Sequence, residues 1–182
     1  MTEKQLIEGC LKMNAKSQRE LYQRFNGKMM AVCRRFAGDL AEAEDMLQEA
    51  FIKVFTNIGQ YRFEGSLEGW IRRIVVNSAL EVLRKRLIRF SDIDGEVETL
   101  SSPDTDAFDT LSAAGLMRLI CDLPDGYRVV FNLYVIEGYD HNEIAALAGI
   151  TAATSRSQLL KARRALQEQI KHTDRLPNTY AS

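Results

Sequence analysis

The segment from Tyr139 to Leu166, YDHNEIAALAGITAATSRSQLLKARRAL, leaves the chain few ways to fold. Its first part, Asn142 to Ala148, reads as a short helix with Ile144, Ala145, Leu147 and Ala148 as apolar residues. Gly149 breaks it, and Thr151 is placed to cap a second helix. That second helix puts Leu159, Ala162 and Leu166 on one side at helical spacing. Arg156, Lys161, Arg163 and Arg164 stud its other faces. Ala145 and Gly149 are small where two such helices must cross closely. The pattern predicts a helix-turn-helix, in which one helix braces and the other enters a major groove.

Charge distribution extends this reading. The 182 residues carry a net charge of −1, a total that conceals three blocks. Between Ser17 and Phe90 there are 13 basic and 9 acidic residues. Between Ser91 and Ser112 there are seven acidic residues and no basic one, with Pro103 and several serines. From Ala113 onward the counts are eight basic and seven acidic. Basic modules flank an acidic connector, so a partner is expected to help hold the chain on DNA.

Along the chain the apolar residues recur at helical spacing. Residues 3 to 13 predict a helix with Leu6, Ile7, Cys10 and Leu11 inward, ended by Asn14. A second helix starts at Ser17 and carries Leu21, Tyr22, Phe25, Met29, Val32, Cys33 and Phe36. A third, Ala41 to Ile58, turns Met46, Leu47, Ala50, Phe51, Val54 and Phe55 inward and leaves Asp45, Gln48, Glu49 and Lys53 on other faces. Gln60 to Gly69, QYRFEGSLEG, is a loop that holds two aromatics. Tyr61 and Phe63 either plug the core or stack on something outside it, and the sequence leaves both open.

Leu67 to Phe90 predicts a long helix with Trp70, Ile71, Ile74, Val75, Ala79, Leu80 and Leu83 as its apolar face. Arg72, Arg73, Arg84, Lys85, Arg86 and Arg89 outnumber Glu68 and Glu81 on it, a bias suited to a phosphate backbone. Aromatic residues beside such a helix suit unpaired bases. Further on, Pro124 opens a helix with Val129, Val130, Leu133 and Tyr134 expected inside, and Gly138 ends it.

The expected fold is therefore all-α, with two small helical domains joined by an acidic flexible linker. The boundaries are 1–90, a linker at 91–111, a helix-turn-helix domain at 112–172 and a polar tail at 173–182. No apolar run is long enough to span a membrane, and the N-terminus lacks a secretion signal, so a cytoplasmic protein is expected. Cys10, Cys33 and Cys121 lie far apart, and with two histidines they form no zinc-ligand spacing; each is expected to be a small buried hydrophobe. No nucleophile–base set or carboxylate pair suggests an enzyme, and no cofactor or metal is expected.

Three long segments, in order, resemble the bacterial RNA polymerase sigma factors of the extracytoplasmic-function class, group four. EDMLQEAFIKVF resembles the region two helix that docks on the clamp of the largest polymerase subunit. FEGSLEGWIRRIVVNSALEVLRKR resembles the segment that captures and melts the minus-ten element. The stretch from Leu123 to Leu166 resembles region four, which reads the minus-35 element.

The resemblance implies polymerase contacts at Asp45, Gln48 and Glu49, with Lys53 nearby. It implies that Phe63, Glu64, Gly65 and Ser66 hold an extruded base, with Asn77 next to it. Tyr61, Trp70, Arg72, Arg73 and Arg84 complete the expected minus-ten set. Arg156, Ser157, Leu160 and Lys161, with Arg163, form the minus-35 set. The implied partners are core RNA polymerase (the clamp and the flap of the second-largest subunit), promoter DNA and an anti-sigma factor. The chain departs from the family pattern at three places. Glu64 is acidic where a basic residue is common, Ser155 replaces a frequent buried valine, and Ala152-Ala153 replace Glu-Gly. The rival reading is an autonomous helix-turn-helix transcription regulator. It would need a receiver domain with a strand-borne aspartate, and the first 90 residues read as helical throughout.

Overall fold

The computed structural model describes residues 1–91 and 113–173. The expected linker and tail fall outside these residues, apart from their first positions, where the flanking helices end. The described residues are helical with no strand, and the chain divides into two compact units, Met1–Arg89 and Phe90–Ser182.

The first unit is built from α1 (Glu3–Leu11), α2 (Ala15–Phe36), α3 (Leu40–Asn57), a 3₁₀ turn (Ile58–Gln60) and α4 (Leu67–Ser91). Each start has a chemical cause. Thr2 and Gln5 exchange hydrogen bonds in a capping box at α1. Asn14 does not only end α1; its side chain accepts the Lys16 and Ser17 amides and so begins α2 two residues earlier than the apolar pattern implies. Asp39 accepts the Glu42 amide at the head of α3.

The core follows the periodicity. Leu21, Met29, Val32, Cys33 and Phe36 of α2 are buried with Met46, Ala50, Phe51 and Val54 of α3 and Ile71, Val75, Ala79 and Leu80 of α4. Leu11 is an exception. The periodicity predicts it inward, but it is the last residue of α1 and is 53% exposed, with its side chain beside Gly59. Phe55 and Trp70 are only half-buried.

The second unit contains α5 (Ala113–Cys121), α6 (Asp125–Phe131), a wide π turn (Asn132–Ile136), α7 (His141–Ala148) and α8 (Ala152–Thr173). Its core gathers Leu119, Ile120, Leu123, Ala162 and Leu166, with Tyr127, Phe131, Ile136, Ala165 and Ile170 packed against them. Arg128 is buried but paired: its guanidinium donates to Asp125 Oδ1 at 2.6 Å and to the Cys121 carbonyl at 2.6 Å, which ties the end of α5 to α6.

The π turn corrects one expectation. The Glu137 amide reaches back five residues to the Asn132 carbonyl at 2.9 Å, so one extra residue enters the turn. Leu133 stays fully buried, while Tyr134, expected inside, is rotated out to 36% exposure.

Candidate nucleic-acid interface

Three exposed surfaces collect the residues singled out by the sequence. On α3, Asp45, Gln48 and Glu49 are all exposed. Their spacing of three and four residues places them on one stripe, opposite the buried Met46, Leu47 and Ala50. Ile52, one turn further on, continues the stripe and is 65% exposed. Apolar periodicity cannot find such a residue, because it is apolar and sits outside the core. Lys53 is differently placed. Its Nζ donates to Glu81 Oε2 at 2.7 Å and to Ser78 Oγ at 3.2 Å, so it pins α3 to α4.

The loop before α4 resolves the question about its aromatics in two ways. Tyr61 is buried and plugs the core; Phe63 is 53% exposed. Their rings lie 5.0 Å apart, and the Tyr61 ring is 5.6 Å from that of Trp70. Phe63 has a φ of 60° and Gly65 a φ of 86°. The left-handed region is natural for glycine and costly for phenylalanine, so the surroundings must hold Phe63 there. One visible restraint is the Tyr61 hydroxyl, which donates toward the Gly65 carbonyl at 2.9 Å and toward Glu3 Oε1 at 3.0 Å. Burial, and then the hydrogen bond to Glu3 and its charge, push the Tyr61 phenol above its ordinary pKa.

Glu64 is exposed and Ser66 is part of the backbone machinery: its hydroxyl accepts the Gly69 amide at 3.0 Å, so it caps the first turn of α4. Beyond that turn, Arg73, Asn77 and Arg84 are exposed on one side of α4, at spacings of four and seven. Arg72 is half-buried. Lys28 of α2 pairs with Glu68, so the first turn of α4 is held from the side as well.

In the second unit, α7 begins with a capping box. Asp140 accepts the amides of Asn142 and Glu143, and Glu143 returns a carboxylate to the Asp140 amide. It ends at Gly149 with a φ of 71°, where the amides of Gly149 and Ile150 both bond the Ala145 carbonyl. Thr151 caps α8 as expected, accepting the Thr154 amide at 3.0 Å. Ser155, Leu159, Ala162 and Leu166 form the buried side of α8. Arg156, Ser157, Lys161, Arg163 and Arg164 are exposed, as is Leu160 at 51%. Arg156, Leu160 and Arg163 share one stripe; Ser157, Lys161 and Arg164 share the next. A basic, exposed helix face with one apolar side chain has the chemistry to meet phosphates, base edges and a thymine methyl.

Three contacts here were not legible in the sequence. Ser155 is fully buried, and its hydroxyl is 2.9 Å from His141 Nδ1, which satisfies this buried polar atom. His141 in turn stacks on Tyr134 at 4.6 Å, and the Arg163 guanidinium lies 6.0 Å over the Tyr134 ring. The turned-out tyrosine thus gives an exposed arginine a resting place.

Among the described residues no group of three or more His, Cys, Asp or Glu side chains could hold a metal, and no helix is long and apolar enough to cross a membrane. Cys10 and Cys33 are buried, and Cys121 is half-buried.

Residues 21–87 match the family described as Sigma-70 region 2, and residues 114–166 match Sigma-70, region 4. The chain is similar to the ECF RNA polymerase sigma factor SigE of Mycolicibacterium smegmatis, with 30% identity over 85% of this chain, which spans 62% of that relative's length. It is also similar to the RNA polymerase sigma-H factor of Pseudomonas aeruginosa, with 27% identity over 92% of this chain and 93% of that protein. Its fold resembles that of the sigma factor RpoE of Bartonella quintana, solved in complex with the anti-sigma factor NepR. That likeness has a TM-score of 0.55 at 21% identity and covers 86% of this chain and 98% of that one. With both regions present in order, one on each compact unit, this chain belongs to the extracytoplasmic-function class of the sigma-70 family of RNA polymerase sigma factors.

Proposed function

We propose that this chain binds core RNA polymerase and directs it to promoters by recognising a minus-35 and a minus-ten element. Asp45, Gln48 and Glu49 dock the first unit on the clamp of the largest subunit, with Lys53 holding the docking helix against α4. Tyr61, Phe63, Glu64, Gly65 and Ser66 shape a receptor for an unpaired minus-ten base. Asn77 offers both a donor and an acceptor to its edge, while Trp70, Arg72, Arg73 and Arg84 line the path of the strand. The second unit is a helix-turn-helix: α7 braces and α8 enters the major groove through Arg156, Ser157, Leu160, Lys161 and Arg163. The segment between the units is an acidic linker. The remaining partners are the flap of the second-largest subunit and an anti-sigma factor, and the work is cytoplasmic.

The observation that supports this most directly is positional. The two sigma-70 regions fall on two separate units, and each unit carries an exposed polar stripe on a helix whose opposite side is core. The test is reconstitution with core polymerase, followed by selection from a randomised promoter library and run-off transcription from the selected sequence. A two-element consensus transcribed only when the chain is present is the expected result. Triple alanine replacement of Asp45, Gln48 and Glu49 should weaken binding to core polymerase in a fold that stays intact. Enrichment of a single duplex element bound without polymerase would instead make the chain an autonomous regulator.

A further inference from the structure

The helix α1 has no role in the reading above, yet it reaches the loop on which that reading depends. It is a firm base: Leu6, Ile7 and Cys10 are buried, its N-terminus is closed by Thr2 and Gln5, and it packs on α2 and on the Ile58–Gln60 turn. Leu11 lies so near that turn that a Cβ on Gly59 would sit 3.3 Å from its Cδ2. From this base Glu3 extends its carboxylate to the Tyr61 hydroxyl, 58 residues away in sequence. The same hydroxyl faces the Gly65 carbonyl, and between the two lies the left-handed Phe63.

We infer that Glu3 is a positioning residue for base capture: from α1 it fixes the Tyr61 phenol, and through it the backbone that turns Phe63 outward. The inference rests on the assignment of the Tyr61–Ser66 loop to the unpaired minus-ten base. One phenolic proton is shared between two acceptors, so the charged carboxylate holds the phenol in place while the Gly65 carbonyl keeps its part of the same three-centre bond. Without the carboxylate, the phenol is tied only to the loop it should be steadying, so ring and loop move together. Glutamine at this position keeps an acceptor oxygen and adds an amide that can donate to the phenol oxygen. The proton is then released to Gly65, and the loop remains anchored.

The test uses holoenzyme reconstituted with the full chain on the selected promoter, with 2-aminopurine placed at each minus-ten position in turn. A rise in fluorescence reports a base leaving the stack. Glu3→Ala and Tyr61→Phe should reduce the capture equilibrium roughly three- to tenfold, the worth of one hydrogen bond. Glu3→Gln should capture like the unaltered chain. Melting temperature should fall by no more than several degrees in any of the three, the cost of one hydrogen bond, and affinity for minus-35 duplex should not move.

If Glu3→Ala captures normally while Phe63→Ala does not, the loop assignment stands and the role of Glu3 is overturned. If Phe63→Ala also captures normally, the loop assignment falls and takes the inference with it. Glu3→Gln as defective as Glu3→Ala would overturn hydrogen-bond positioning. A Glu3→Ala chain whose first unit no longer unfolds cooperatively, read from Trp70 fluorescence, would reduce Glu3 to a structural residue.

Discussion

The two units support their exposed residues by different means. In the second, most supports are local: Asp140 and Glu143 cap one helix, Gly149 turns the chain, Thr151 caps the next, and His141 meets Ser155 only 14 residues later. In the first, the supports come from far along the chain. Glu3 holds Tyr61 across 58 residues, Lys28 holds Glu68 across 40, and Lys53 holds Glu81 across 28. A surface built on local contacts forms wherever its own segment folds. One built on remote contacts exists only when the whole unit is assembled, so changes in buried parts of the first unit should reach its loop.

Gly9→Ala should test that dependence hardest. An added Cβ would lie 2.1 Å from Ser17 Oγ, at the crossing of α1 and α2. The expected loss is about 1–3 kcal/mol from overpacking. It should appear in thermal unfolding followed by the fluorescence of Trp70, the chain's single tryptophan, and leave hydrogen exchange of α7 and α8 unchanged. A loss shared by both units would erase the contrast.

Gly149→Ala is the counterpart in the second unit. A side chain at a φ of 71° costs about 1–2 kcal/mol even though no atom crowds the site. Hydrogen exchange should accelerate in α7 and α8, with the Trp70 transition unmoved.

The third prediction concerns pH. Burial pushes the Cys33 thiol up from 9.0 to about 12, against smaller opposing effects of a backbone hydrogen bond and of Arg35. The folded chain therefore holds a proton that the unfolded chain gives up. Stability from this group is complete below about pH 9 and falls as pH rises toward 12, with a slope approaching about 1.4 kcal/mol per pH unit. Urea titrations at several alkaline pH values should show the slope, and Cys33→Ala should flatten it even if the cavity lowers stability throughout. The buried Tyr61 phenol of the same unit shifts in the same direction, so it adds to the loss at high pH.

Smallest of all, Lys53→Met should cost less than about 1 kcal/mol in chemical denaturation, because both partners of its ion pair are partly solvated. A larger cost would mean that the remote contacts of the first unit carry stability as well as orientation.

What could be read from the sequence follows the same division. Helix positions and the buried side of α8 follow from apolar periodicity, and Thr151 and Gly149 announce themselves by residue type and place. The Glu3–Tyr61 contact could not be read, since no periodicity links residues so far apart. Phe63 was legible as an aromatic in a loop, but its left-handed backbone was not, because phenylalanine does not signal one. The Lys53 bridge to Glu81 and Ser78 could not be read either, because spacing gives the face of a helix and not what another helix brings to it. Tyr134 was misplaced because periodicity assumes 3.6 residues per turn, and one wide turn breaks the count.

That wide turn also divides the inheritance of this unit. A single extra residue is accommodated between Asn132 and Glu137 in the last turn of this helix, just before Gly138 ends it, so the residues of that turn are out of phase with those before it. Losing one residue there would restore regular winding and rotate the residues of that last turn by about 100° against those before it. Tyr134 would turn inward, and Arg163 and His141 would both lose the ring between them. Relatives that differ by one residue at this point should therefore differ in what covers the flank of α8, even where α8 itself is the same letter for letter. An alignment that slides smoothly across residues 132–136 would pair side chains that face in different directions.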